Sequence, residues 1–500
     1  MRRLIIIIFP LMLMQAGCNG LLEENPKGLM APEGFFKTPA DVEAAVYGAY
    51  AEWVTLNIEK EYLLSLILRS DMAEIGDRNT TADRVVLNDF NMDARNSMTR
   101  LTWNSLFQAI AAANTAIKGA RQISADQAVK NKLEGQARFI RAFTYYHLVR
   151  YFGDVPYMDV PVESAEELDA ATRTPESEVY EHIIADLKFA RENLPDRNPA
   201  DVRNIGTRGS AATTLAEVYL TLHRYSEAAA EARYVIQNAA SFNFALEKNY
   251  QDLFNANLSG TLREPIFTLD LKNNLSQGGY NPMEGLINLT RIRDHAPRSL
   301  SVAVPAYKVY STWDARDYRR KVSFEDSVMI KGVKTALTDS KYRTPVPHIA
   351  KYFRYPGPQE SGDDRSSDHH YCLFRYADVL LMAAEAIAES EGPTPEAIGY
   401  VNQVRERARF NGTTVTNFPA DVSLDISKAD FIATVREERR LEFAFEFNRW
   451  YDIKRWGILE EVFTSAGSLE PHNVNPQRDY LFPVPQTEVD ITGFPQNNGY

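Results

Sequence analysis

The chain has 500 residues, 44% hydrophobic and 24% charged, an ordinary balance for a globular body with enough length to bury a substantial core. Its formal net charge of −12 argues against nucleic-acid binding, and its two cysteines are too few for a disulfide scaffold. Rings are abundant for a chain that reads as mainly helical, 25 Tyr, 25 Phe and 5 Trp, which points to a surface that uses aromatics.

At the N-terminus Arg2 and Arg3 precede an apolar run over 4–14, and Gln15-Ala16-Gly17 leads into Cys18. This pattern is an export signal, too short to span a bilayer. Small residues before a cysteine resemble a bacterial lipobox, so 1–17 read as a lipoprotein signal peptide and Cys18 as the lipidated first residue. Only Cys372 then remains as a thiol, and no intramolecular disulfide can form. No later stretch is long and apolar enough to cross a membrane, so the body is expected to be held there by lipid alone. Residues 18–37, with Gly20, Pro26, Gly28, Pro32 and Gly34, read as an extended tether.

A first helical-repeat part is expected over 38–242. Apolar residues recur every three or four positions over 42–56, 98–123, 125–151 and 175–193, with a polar, broken stretch at 70–97. The third of these helices must stop at YFGDVPY, where Gly153 and Pro156 forbid continuation. In 209–238 Ala216, Tyr219 and Ala228 stand at the small, aromatic and small positions of a tetratricopeptide repeat, with the turn near 223–226. A helix pair of this kind cannot bury its own apolar face and implies stacked neighbours. Residues 243–370 break the helical pattern with loop chemistry, including Gly278-Gly279-Tyr280-Asn281-Pro282 and the PxP at 345–347. A short helix near 303–313 and a few short strands near 322–342 are expected within this irregular insertion, which reads as the ligand face. A second helical-repeat part covers 371–460, with a weaker copy of the helix pair at 376–408, and 461–500 form a Pro-rich tail. The stretch 436–457, REERRLEFAFEFNRWYDIKRWG, has no Pro and no Gly before its last residue, which predicts one helix over nearly its whole length. It is greasy on two sides and so reads as a clamp between other elements, with Asp452 and Lys454 needing partners among its aromatics.

No catalytic motif stands out: there is no G-x-S-x-G, no H-E-x-x-H and no phosphate-binding glycine loop. No cofactor and no metal is expected. His369-His370 with Asp363, Asp364 and Asp368 imitate a metal site, but adjacent histidines rarely aim at one ion, and a polar loop explains them better. Glu437-Glu438 read as a solvated helix face, and Cys372 as an inert core thiol.

Several segments, spread over nearly the whole chain and in a fixed order, carry a family resemblance. They are FFKTPADVEAAVYGAY at 35–50, WNSLFQAIAAANTAI at 103–117, ARFIRAFTYYHLVRYFGDVPY at 137–157, FRYADVLLMAAEA at 374–386, RRLEFAFEFNRWYDIKRWG at 439–457 and the ending FPVPQTEVD…QNNGY. With them the chain resembles the SusD/RagB family of Bacteroidetes nutrient-uptake lipoproteins; the ending has Asn498 where that family usually has Pro. The resemblance implies a mainly α fold of tetratricopeptide-like helix pairs supporting a loop-rich face with a few short strands. It also implies a non-catalytic, outer-membrane, surface-facing protein that binds oligosaccharide, or peptide in the RagB branch, and acts as the lid of a SusC-like TonB-dependent transporter. A helical-repeat adaptor for partner proteins is the remaining reading.

Sugar recognition needs ring faces against pyranose C–H groups, with polar side chains at their edges for the hydroxyls. The candidates are Trp313, with Asp314 and Arg316 beside it; Tyr280 and Asn281, after two glycines; and Arg69 and Asp71, at the break after the first helical segment. Arg291 and Arg293 suit a carboxylated or sulfated sugar, or pair with nearby acids. Trp313 serves equally well as helix-end packing. Trp103, continued by Leu106 and Phe107, reads as core.

Overall fold

The computed structural model describes residues 35–58, 62–162, 164, 167, 171–271, 285–293, 299–330, 333–339, 341–357 and 367–500. Cys18, the tether, Tyr280, Asn281, Asp363 and Asp364 lie outside these described residues. The chain is mainly helical. Its first half supplies α1 (Pro39–Ile58), α2 (Tyr62–Leu68), α3 (Ala82–Asn88), α4 (Ser97–Gln122), α5 (Gln127–Phe152), α6 (Glu176–Asn193), α7 (Arg208–Thr221) and α8 (Tyr225–Gln237). The second half returns with α9 (Tyr376–Glu391), α10 (Pro395–Ala408), α11 (Lys428–Glu442) and α12 (Arg449–Trp456).

Local chemistry fixes many of these ends. Asn96 caps α4 by accepting the Met98 and Thr99 N–H groups. Thr207 and Ser210 form a reciprocal capping box at α7, and Thr394 followed by Pro395 opens α10. Gly153, at φ 74°, ends α5 where the sequence requires it. Each long helix then packs on its successor: α1 on α4, α4 on α5, and onward through α6, α7, α8 and α9 to α10 and α11. The small residues expected to allow close approach, Ala216 and Ala228, are fully buried between α7 and α8, with Tyr219 beside them.

The irregular part is clipped shut at its base. Strand Pro265–Asp270 pairs antiparallel with strand His370–Arg375, so everything between leaves and re-enters the scaffold at one place. Phe267 on the first strand sits edge-on to Phe139 and Phe143 of α5, which fastens the clip to the helical layer. Three further two-stranded pairs stiffen the insertion: Ala73–Ile75 with Ala303–Pro305, Phe324–Glu325 with His348–Ile349, and the hairpin Ser327–Ile330 with Val333–Ala336. The first recruits the polar stretch after α2 into this face. Gly76, next to it, has no room for a side chain, since a Cβ there would lie 2.5 Å from the Ser301 carbonyl oxygen. Gly76→Ala is therefore expected to cost about 1–3 kcal/mol, measured as a shift in the urea midpoint.

One expected element is corrected. The stretch 436–457 is two helices, because α11 ends at Glu442 and Phe445 takes a left-handed φ of 63° before α12 begins. No local breaker does this. The carbonyls at the end of α11 and in the break are instead taken by distant donors: the Glu442 carbonyl accepts from Tyr250 Oη and, at 2.8 Å, from Arg375 Nη2, while the Phe445 carbonyl in the break accepts from Tyr352 Oη. The expected clamp role stands, with Asp452 receiving Arg439 Nε at 2.9 Å and Lys454 donating to the Arg150 carbonyl at 2.7 Å.

Candidate functional site

Within the insertion, two short helices, Tyr307–Thr312 and Tyr318–Ser323, stand beside the turn at 350–355 and the strand Phe324–Glu325. Together they enclose a cleft of about 380 Å³ that exposes three tyrosines, Tyr310, Tyr318 and Tyr355. Tyr355 is 42% exposed and the other two are half-buried. The Tyr310 ring is held on three sides. It meets Phe324 edge-on at 5.2 Å, carries the Arg320 guanidinium 4.2 Å from its centroid, and donates from its hydroxyl to Asp326 at 3.1 Å. Lys321, Glu325, Asp326 and Lys334 place charge around the rim.

Buried charge positions this cleft. Asp317 caps the helix that carries Tyr318 and Arg320, and binds the fully buried Arg319 at 2.9 Å. Arg319 reaches across to Glu438 at 2.6 Å and Glu442 at 3.1 Å on α11. The wall of the cleft is thus pinned to the scaffold. Arg354 ties the floor, donating to Gln251 Oε1 and to the carbonyls of Lys321, Val322 and Phe324 at 2.7–3.1 Å, and pairing with Glu325 at 3.1 Å. Burial, with Asp252 nearby, pushes the Tyr318 phenol above its ordinary range, so it stays a neutral hydroxyl. The arrangement offers ring faces, a phenol and rim charges, which suits non-covalent recognition of a hydroxyl-rich ligand.

Most of the residues singled out in the sequence are elsewhere. Trp313 is 5% exposed and stands edge-on to Phe324 at 5.5 Å, so it packs behind the cleft and presents no face to a ligand. Asp71 is buried and bound through both oxygens by Arg449, each at 2.7 Å. Arg69 is fully buried, donating to the Leu87 carbonyl at 3.1 Å and to Asp479 at 3.3 Å, with its guanidinium 3.8 Å from the Phe90 centroid. Both charges are internal braces because each found a partner distant in sequence. Arg291 is half-buried at the end of a short helix, with its carbonyl bonded by the Ser301 N–H at 3.0 Å, and it does not line the cleft. Arg293 pairs with the buried Asp77 at 2.6 Å. His369 is buried, which lowers its ring to about 4, while His370 faces Asp270 at 3.2 Å. Among the described residues no group of three His, Cys, Asp or Glu could hold a metal ion. Cys372 lies on the clip strand, and burial pushes its thiol far above the usual range.

The cleft tyrosines were missed because no single segment carries them. The signal available was the pair Tyr310 and Tyr318, one on each of two short helices, the second capped by Asp317. A larger groove of about 570 Å³ lies along α4, lined by Trp103, Phe107, Met158, Val160 and Ile491. Its walls are mainly apolar, with Asn104, Gln108 and Glu488 among them.

The chain resembles known proteins along its whole length. The model of the SusD family matches residues 231–500, and the model described as starch-binding associating with outer membrane matches 22–220. The SusD-like protein P2 of Formosa agariphila is 43% identical over 513 residues, covering 100% of both chains. Among solved structures, a SusD homolog from Bacteroides thetaiotaomicron superposes with a TM-score of 0.81 at 22% identity, covering 94% of this chain and 98% of that one. A laminarin-binding SusD-like protein superposes with a TM-score of 0.76 at 24% identity, covering 93% and 100%.

Proposed function

The chain belongs to the SusD family, and from that premise we propose that it is a non-catalytic glycan-binding lipoprotein of the outer membrane. In this reading Cys18 carries the lipid, the body faces outward, and the protein captures oligosaccharide as the lid of a SusC-like TonB-dependent transporter. The laminarin-binding relative supports a glycan as the ligand class. Among the described residues no helix is long and apolar enough to cross a membrane.

The observation that carries the reading is the Tyr310–Tyr318–Tyr355 cleft. A peptide captured by strand addition needs free main-chain groups. At this cleft the carbonyls of Tyr310, Lys321, Val322 and Phe324 are already taken by Arg320 and Arg354. What stays on offer is side-chain chemistry: ring faces, phenols and rim charges. That favours sugar over peptide.

The test is isothermal titration of the mature chain against panels of soluble glycans and peptides, with Tyr355→Ala and Tyr310→Ala beside wild type. Each variant is expected to weaken glycan binding by about tenfold, near 1.4 kcal/mol, with unchanged thermal unfolding for the exposed Tyr355. Saturable binding of peptides alone would overturn the glycan reading. Glycan binding indifferent to both tyrosines would move the site to another part of the loop-rich face.

A further inference from the structure

We propose that the tyrosine cleft selects an anionic glycan, one carrying a carboxylate or a sulfate ester on the sugar that meets its rings, which rests on the glycan-binding reading and narrows its substrate class. The chain as a whole is acidic, with 67 Asp and Glu against 55 Lys and Arg. The lining of the cleft reverses that balance, with Arg320, Lys321, Lys334 and Arg354 against Glu325 and Asp326. Not all of these charges are available. Arg354 and Glu325 neutralise each other at 3.1 Å. Asp326 has both oxygens engaged, by the Tyr310 hydroxyl at 3.1 Å and the Ser327 hydroxyl at 3.0 Å. Asp252, near Tyr318, accepts from Asn249 at 2.8 Å. Arg320, Lys321 and Lys334 are left without a carboxylate.

These three cations differ in what they can still do. The Arg320 guanidinium lies on the Tyr310 ring and donates to the Tyr310 carbonyl at 3.3 Å, so it adds charge but is held in place. Among the described residues neither Lys321 nor Lys334 has a partner for its ammonium group, and both are exposed. They come from different segments. Lys321 follows Tyr318 by three on one short helix, which places the two on the same side of it. Lys334 stands on the hairpin strand Val333–Ala336, opposite Met329. Two free ammonium groups therefore line one cleft of about 380 Å³ that also holds the rings. A concave wall of one sign focuses its field on whatever enters. The hydrogen-bonding inventory agrees with the charge. The acceptors around the cleft are largely engaged, whereas an ammonium group is a donor with no acceptor capacity, so the free groups suit ligand oxygens that only accept. Carboxylate and sulfate ester share that chemistry, and a lysine holds either as a compact charge without the fixed geometry of an arginine fork.

The test titrates the mature chain with neutral, uronate-containing and sulfated oligosaccharides. Wild type is expected to bind a member of one charged set about tenfold more tightly than its neutral counterpart, and to lose much of that margin as salt rises from about 0.05 M to about 0.5 M. The double variant Lys321→Gln with Lys334→Gln is expected to lose most of the preference with unchanged thermal unfolding, since both side chains are exposed. Lys132→Gln, exposed in the first turns of α5, controls for net charge and should bind as wild type does. Which charged set binds identifies the anion as carboxylate or sulfate ester. Glycan binding with no preference for either charged set, or a preference that survives loss of both lysines, would overturn the proposal while leaving the glycan reading intact. Binding of peptides alone, or of no glycan in any set, would overturn both.

Discussion

Arg375→Met is expected to destabilise the protein by about 3–5 kcal/mol, the range for removing one partner from a buried ionic cluster. Arg375 is 1% exposed and stands at the centre of a network made from distant segments. It donates to Glu264 at 2.7 Å, to Glu446 at 2.9 Å and to Glu442, the last two from the stretch that follows and ends α11. Arg407 meets Glu264 at 2.9 Å and also binds Glu442, while Lys351 donates to Glu446 at 2.9 Å. Glu438 is shared by Arg319 at 2.6 Å and Arg405 at 2.8 Å. With Asp317, which binds Arg319, five cations face five carboxylates in this cluster, so each is tolerable in a low-dielectric setting only while its partners are present. A methionine fills the space of the Arg375 stem but leaves three carboxylates short of donors. The measurement is the urea midpoint at constant slope, with exposed Asp314→Asn, whose partner Arg316 is also exposed, as the control expected to leave it unchanged. A loss under about 1 kcal/mol for Arg375→Met would mean that the network relaxes easily and does not fix the α11–α12 break or the cleft wall.

That network also explains which features were legible in the sequence. Helices α4, α5, α7 and α9 announced themselves because their signals are local: apolar spacing, small and aromatic residues at repeat positions, a Gly153 stop. The family resemblance was legible for the same reason, being carried by short local segments, those of α4, α5 and α9 among them. The fate of individual charges was not. Asp71 sits in a polar, broken stretch and looks exposed, yet Arg449, 378 positions later, encloses it. The α11–α12 break was equally hidden, since Tyr250 and Tyr352, which take its carbonyls, lie far upstream. Binding residues on a loop-rich face are the extreme case. Tyr310, Tyr318 and Tyr355 share a cleft only because Arg319 and Arg354 hold three separate turns in place, whereas Trp313, the most sugar-like residue by type, was needed behind them as packing.

Glu470→Gln should stabilise the protein, with a gain that grows as pH rises from about 4.5 to 7. Glu470 is 6% exposed, and its Oε1 accepts from Asn88 Nδ2 at 3.1 Å and faces His472 Nε2 at 2.7 Å. Among the described residues its Oε2 finds no partner. Burial pushes the carboxyl up to about 7, against the partial relief given by His472 and Asn88, with Glu74 nearby adding to the rise. In the unfolded chain the same group titrates near 4.5. Between these values the folded protein holds a proton that the unfolded chain has released, so stability falls as pH rises from about 4.5 to 7. Above pH 7 the full cost is present, on the order of 3 kcal/mol from 1.36 kcal/mol per unit. A glutamine keeps the Oε1 acceptor and never ionises. The variant should therefore exceed wild type by about that amount at pH 8 and by only about 1 kcal/mol at pH 5. The depressed carboxylates Glu442, Glu446 and Asp452 do not confuse the comparison. Their arginine partners lower them, so their contribution is complete above the unfolded value and is lost only in stronger acid. Urea titrations of both proteins at pH 5 and pH 8 decide the matter. Equal stability at pH 8 would mean that the buried Glu470 carboxylate carries no cost for the variant to relieve.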